Sequence, residues 1–99
     1  MKILQKEFNS KKFQHKQLIR RGNIAVFERS KGTATHFETI IIGSHNGYTL
    51  AGMYIEPSET YPSTANWGSK GWTFTNTAMA LAKMVALEKK HGVDDAQII

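Results

Sequence analysis

Along the first half of the chain, apolar residues alternate with polar ones in short runs, and each run ends at turn-forming residues. The pattern predicts strands over residues 3–8, 13–19, 24–29, 35–42 and 48–55. Asn9-Ser10-Lys11 reads as a turn, because Asn and Ser bond their own backbone. Arg21-Gly22-Asn23 reads as a hairpin, because Gly and Asn tolerate positive φ. Ser30-Lys31-Gly32 and Asn46-Gly47 supply the next two reversals. The run from Thr35 is rich in β-branched and aromatic residues and ends in Ile40-Ile41-Ile42, a continuous apolar stretch that suits a strand covered on both faces. Gly52, inside the fifth run, predicts a bulge or a close backbone approach.

Pro57 interrupts this pattern, since proline donates nothing to a sheet ladder. Residues 57–72, PSETYPSTANWGSKGW, read as one long irregular loop, and loops of that length are functional or held by their own side chains. From Asn76 the period changes to that of a helix, with Thr75 or Asn76 as N-cap. Ala78, Leu81, Ala82 and Val85 form one apolar stripe at i, i+3, i+4 and i+7, which Met84 and Leu87 widen. Lys89 and Lys90 complement the dipole, and His91-Gly92 supplies the stop. The expectation is an α+β fold: an antiparallel sheet of about five strands with one C-terminal helix packed on one face, in the order β-β-β-β-β-loop-α. Residues 1–92 would form a single domain and residues 93–99 a tail. The second sheet face would be open or used for oligomerisation.

Composition narrows the chemistry. The chain has 99 residues and no cysteine, so disulfides, thiolate zinc sites and cysteine nucleophiles are excluded. No apolar run approaches the ~20 residues of a membrane span, and the N-terminus lacks the apolar core of a signal peptide. These features predict a soluble intracellular protein without membrane contact. The net charge of +5 is unevenly placed. Residues 1–31 hold nine basic and two acidic residues, a net +7, and the remainder is slightly acidic at −2. Such asymmetry is the footprint of a polyanionic partner. The competing reading is a solvated face whose lysines keep edge strands apart.

Few constellations resemble a catalytic set. His15, His36, His45 and His91 lack metal-ligand spacing. Glu56 and Glu59 bracket Pro57-Ser58, but acid–base work of the glycosidase kind needs a larger cleft than a domain this size makes, and Glu56 suits hydrogen bonds to loop amides or a pair with a lysine better. Gly68-Ser69-Lys70-Gly71 lacks the spacing of a phosphate loop. No nucleophile, base and orienting group stand together, so neither an enzyme nor a cofactor or metal is expected. The aromatics are more informative: Tyr48, Tyr54, Tyr61, Trp67, Trp72 and Phe74 all fall between 48 and 74. They either pin the long loop to the domain or serve as stacking platforms for unpaired bases.

Over about residues 24–87 the chain resembles a family of small, mostly uncharacterised phage and prophage proteins. The resemblance rests on Phe37, Glu38, Ile40, Ile41, Gly52, Pro57, Glu59, Tyr61, Pro62, Ser63, Trp67, Gly68, Gly71, Trp72, Thr73, Phe74 and Thr75, above all on the string YPSxxxWGxxGWTFT. It carries no activity; it implies a phage-type accessory protein in a bacterial cytoplasm. The layout of sheet and helix is also similar to single-stranded DNA-binding coactivator and Whirly-like domains, as architecture alone. The resulting expectation is a non-enzymatic, homo-oligomeric protein that binds single-stranded or structured nucleic acid. Lys11, Lys12, Lys16, Arg20, Arg21 and Arg29 would contact phosphates, and Trp67 and Trp72 would stack on bases. The alternative is a protein–protein module that inhibits or redirects a host defence or nuclease factor.

Overall fold

A computed structural model describes the backbone of residues 1–98 and the side chains of residues 1–90; for the expected helix stop at His91-Gly92 and the tail at 93–99 the side chains lie outside the described residues. In chain order the elements are β1 (Glu7–Ser10), β2 (Phe13–Arg21), β3 (Ile24–Lys31), β4 (Ala34–Ile41), β5 (Gly43–His45), β6 (Tyr48–Leu50), β7 (Met53–Ile55), β8 (Ser58–Thr60), a 3-10 turn (Thr64–Asn66), β9 (Gly71–Phe74) and the helix α1 (Thr77–Ile98). The fold is α+β. A five-stranded antiparallel sheet, ordered β1-β2-β3-β4-β9, carries the helix on one face.

Several expectations change in detail, the first strand among them: it runs Glu7–Ser10 rather than 3–8, so Asn9 and Ser10 are paired in the ladder and the turn falls on Lys11-Lys12. The run at 48–55 is not a strand of this sheet. It folds back on itself as the hairpin β6–β7, turning at Ala51 and Gly52, whose φ values are +51° and +80°. The fifth strand is instead β9, drawn from the end of the segment expected to be irregular, and it pairs Phe74, Thr73, Trp72 and Gly71 with Phe37 to Ile40 of β4. Pairing with β4 outweighs the glycine at the start of this strand, because Trp72, Thr73 and Phe74 suit a pleated surface.

The helix also turns a different face to the sheet. Asn76 caps it, its Oδ1 accepting the Met79 N–H at 2.9 Å. Ala80, Met84 and Leu87 are the buried stripe, packed with Ile24 and Val26 and flanked by Ile19, Phe37, Trp72 and Phe74. The expected stripe of Ala78, Leu81, Ala82 and Val85 faces solvent. The helix has apolar residues on two sides, and one hydrogen bond helps select between them: Thr39, fully buried in β4, donates its Oγ1–H to the Ala80 carbonyl at 2.7 Å. No helix among the described residues is long and apolar enough to cross a membrane.

The opposite sheet face is covered rather than open. A second core of Ala25, Phe27, Ile40 and Ile42 lies there, capped by Leu4, Phe8, Tyr61 and Trp67. The cover is tied down by main-chain bonds: Lys2 N–H donates to the Pro57 carbonyl at 3.0 Å, Glu59 N–H to the Lys2 carbonyl at 2.9 Å, and β5 pairs with β8. The Ile40–Ile42 run is apolar throughout because both faces of β4 are buried.

Candidate functional site

The placement of charged residues starts from a register shift. In β2 the pairing with β3 slips between Gln17 and Ile19, leaving Leu18 bulged and 42% exposed. A single extra residue reverses which face each following side chain takes. His15 and Arg20 therefore share the loop-covered face, although one is odd-numbered and the other even. Lys16 and Arg21 point to the helix side.

Beneath the loop sits a buried polar cluster. Glu38, opposite Phe27 in the ladder, is at its centre. Its Oε1 accepts the Tyr61 hydroxyl at 2.6 Å. Its Oε2 lies 3.0 Å from Arg29 Nη1 and accepts the Thr73 hydroxyl at 3.4 Å. The His15 imidazole is buried, stacked on Phe8 with centroids 4.6 Å apart, and its Nε2 lies 3.8 Å from the carboxylate. Burial pushes the His15 imidazole below its ordinary pKa, against the pull of Glu38. Burial, with Glu38 beside it, drives the Tyr61 phenol far above its usual range. With three partners on its two oxygens, Glu38 is an anchor for the loop rather than a free base. His15 Nδ1 and Arg29 Nε are buried with no hydrogen-bond partner. Among the described residues no three His, Asp or Glu side chains group closely enough to hold a metal ion.

A cavity of about 480 Å³ opens over this cluster. Phe8, Phe13, Tyr61 and Trp67 wall it, Arg29, Glu38 and His15 form its polar side, and Lys11 lies on its lining. Arg29 and Lys31 both sit over the Phe13 ring, at 4.6 and 5.6 Å from the centroid.

The expected nucleic-acid contacts do not form one surface. Arg20 is committed to Glu59 through two parallel bonds of 2.6 and 2.7 Å. Glu59 also accepts the Leu4 N–H at 2.9 Å, and these bonds hold its carboxyl well below the usual range, at about 2. Arg21 pairs with Glu88 at 2.6 Å, and Arg29 with Glu38. Trp67 and Trp72 lie on opposite faces. Trp72 packs under the helix with Lys83 4.3 Å above its ring, whereas Trp67 donates its Nε1–H to Thr73 Oγ1 at 3.0 Å and lies flat against Gly71.

What remains is Lys16, exposed on the helix side with no ion pair among the described residues, and the end of the sheet where the β1–β2 and β3–β4 turns meet. Lys11, Lys12 and Lys31 stand there, and among the described residues none of them forms an ion pair. Lys11 and Lys12 occupy a two-residue hairpin turn with φ values of +52° and +70°. Hairpins of this kind favour Asn-Gly, because left-handed backbone costs other L-residues roughly 1 kcal/mol or more each. The sequence puts two lysines there instead. The polar cluster escaped sequence reading because Glu38, His15 and Tyr61 are 23 or more residues apart or on different strands; only the ladder register brings them together. Comparison with known proteins finds no matching family model, no matching curated protein and no matching solved structure.

Proposed function

We propose that this protein is a non-enzymatic binder of nucleic acid, single-stranded or structured, that engages its ligand at the end of the sheet bearing Lys11, Lys12 and Lys31. The observation that carries this reading is the strained Lys11-Lys12 turn, whose Lys11 lies on the lining of an aromatic-walled cavity. Strained non-glycine backbone concentrates at functional positions. The three ammonium groups, free of ion pairs among the described residues, supply phosphate contacts, and the aromatic wall of the cavity supplies apolar contact for an unpaired base. Arg20, Arg21 and Trp72 are left out of this surface, because their ion pairs and helix packing already occupy them. The resemblance to phage accessory proteins adds a setting, the bacterial cytoplasm, and no chemistry.

Salt titration of binding to a labelled single-stranded oligonucleotide tests the reading. Three phosphate contacts at a slope of about −0.7 each predict roughly a 20-fold loss of affinity between 50 and 200 mM salt. The Lys11→Gln/Lys12→Gln variant retains one contact and loses only about 3-fold over the same range, from a weaker start. Arg21→Gln, at the other end of β2, leaves binding unchanged. No binding at low salt overturns the proposal and leaves a host-protein partner as the standing reading.

A further inference from the structure

The cavity beside the lysine turn has the size of a small-ligand site. Its volume of about 480 Å³ falls within the roughly 300–1,000 Å³ of such sites. Phe8, Phe13, Tyr61 and Trp67 form an apolar wall, and the same lining carries Lys11, Arg29 and Glu38. Arg29 Nη1 lies 3.0 Å from Glu38, yet 26% of the arginine side chain stays exposed, and its Nε is buried with no hydrogen-bond partner. The charge around the cavity is positive. Glu38 offsets Arg29, and burial pushes the His15 imidazole below its ordinary pKa, so His15 adds little charge at neutral pH. Two cations are left: Lys11 on the lining, and Lys31, whose Nζ lies 5.6 Å from the centroid of the Phe13 ring. Neither forms an ion pair among the described residues.

We propose that the cavity takes a single nucleoside monophosphate unit, its base against the aromatic wall and its phosphate monoester at Lys11 and Lys31. The choice of a nucleotide rests on the nucleic-acid reading above; the size, wall and charge of the cavity carry the fit. A phosphate monoester holds about −1.5 to −2 charges at neutral pH, which matches two free ammonium groups. A carboxylate, or a diester inside a strand, brings a single charge and leaves one ammonium unmatched. A base gains from contact with aromatic side chains whatever its identity, so the wall favours nucleotides as a class and not one base. The monoester has two sources of the same chemistry, a free nucleotide and the phosphorylated end of a strand. The site thereby differs from a surface that only tracks a backbone: one base with one terminal phosphate suffices to fill it.

NMR titration of the full chain with adenosine monophosphate tests this. The indole N–H resonance of Trp67, on the cavity wall, is expected to shift to saturation, while that of Trp72, under the helix on the opposite face, stays in place. Adenosine, which lacks the phosphate, and ribose phosphate, which lacks the base, are each expected to bind roughly tenfold more weakly. Thr64 is an exposed residue of the lining, so Thr64→Phe narrows the cavity without entering either core and is expected to abolish the shift, with a circular dichroism melt verifying the fold. Lys11→Gln is expected to weaken adenosine monophosphate and leave adenosine unchanged, a split that a merely structural change does not produce. An oligonucleotide with a phosphorylated end that binds more tightly than its unphosphorylated twin assigns the unit to a strand end; twins of equal affinity assign it to the free nucleotide. The absence of a saturable Trp67 shift overturns the inference, and oligonucleotide binding in the salt titration then leaves the nucleic-acid reading standing without it. A shift that survives Thr64→Phe overturns it too, as does adenosine or ribose phosphate binding as tightly as the whole nucleotide. Where adenosine monophosphate binds and no oligonucleotide does, the cavity assignment holds and the strand reading falls.

Discussion

Replacing the Lys11-Lys12 turn by Asn-Gly separates stability from binding. Both lysines have left-handed backbone, at φ +52° and +70°. That conformation costs an L-residue about 1–2 kcal/mol relative to its preferred region, whereas Asn lowers the cost and Gly removes it. Glycine also frees the unfolded chain, which takes back about 0.5–1 kcal/mol. The net expectation for Lys11→Asn/Lys12→Gly is a gain of about 1 kcal/mol. For a domain of this size that raises Tm by about 4–8 °C. Neither lysine makes an ion pair among the described residues whose loss would offset the gain. Urea titrations and thermal melts followed by circular dichroism measure the change, and oligonucleotide anisotropy measures binding on the same samples. The reasoning requires stability to rise while affinity falls. Unchanged or lowered stability refutes the strain argument. Retained affinity refutes the role of the turn in binding.

Two further outcomes follow from the loop anchors. Glu59 has its carboxyl lowered from 4.5 to about 2 in the folded protein, so its stabilisation is fully present above about pH 4.5 and is lost as pH falls through about 2. Discounted for partial exposure, that shift amounts to about 2 kcal/mol; Glu59→Gln is expected to lose that much at pH 7, with the gap to wild type narrowing in melts between pH 4.5 and 2. A gap that stays constant across that window shows that the ionised carboxylate is not its source. Gly71→Ala places a Cβ against the Trp67 ring, 2.6 Å from Cε3, on a residue whose own backbone is held in the β4–β9 ladder. It is expected to displace the indole, shift tryptophan fluorescence and cost about 1–3 kcal/mol; an unchanged spectrum and melt contradict the packing described.

Local periodicity and turn chemistry were enough for much of the architecture. The strands beginning near Phe13, Ile24 and Thr35, the Gly22-Asn23 hairpin and the Asn76-capped helix were all legible, because each rests on residues within one or two turns of one another. The continuous Ile40–Ile42 run correctly announced a strand buried on both faces. The uneven charge, +7 in the first 31 residues, was likewise a property of the chain itself.

Only the tertiary structure decided how those charges are used. The bulge at Leu18 put Arg20 on the face where Glu59 waits, and Arg21 on the face of Glu88. A one-residue slip is invisible to composition, yet it reverses every side chain beyond it. The helix offered two apolar stripes of comparable quality, and packing against Val26 and Thr39 chose Ala80, Met84 and Leu87. The hairpin at 48–55 looked like one long strand because its residues suit strands equally well whether they pair with the sheet or with each other. Sequence thus determined the strands near Phe13, Ile24 and Thr35, the turns between them and the helix, since those choices are local, whereas β9 and the β6–β7 hairpin were decided by their pairing partners. Which side chains meet, and which lysines stay unpaired, depended on register and on long-range burial, and neither leaves a mark in any short window of the chain.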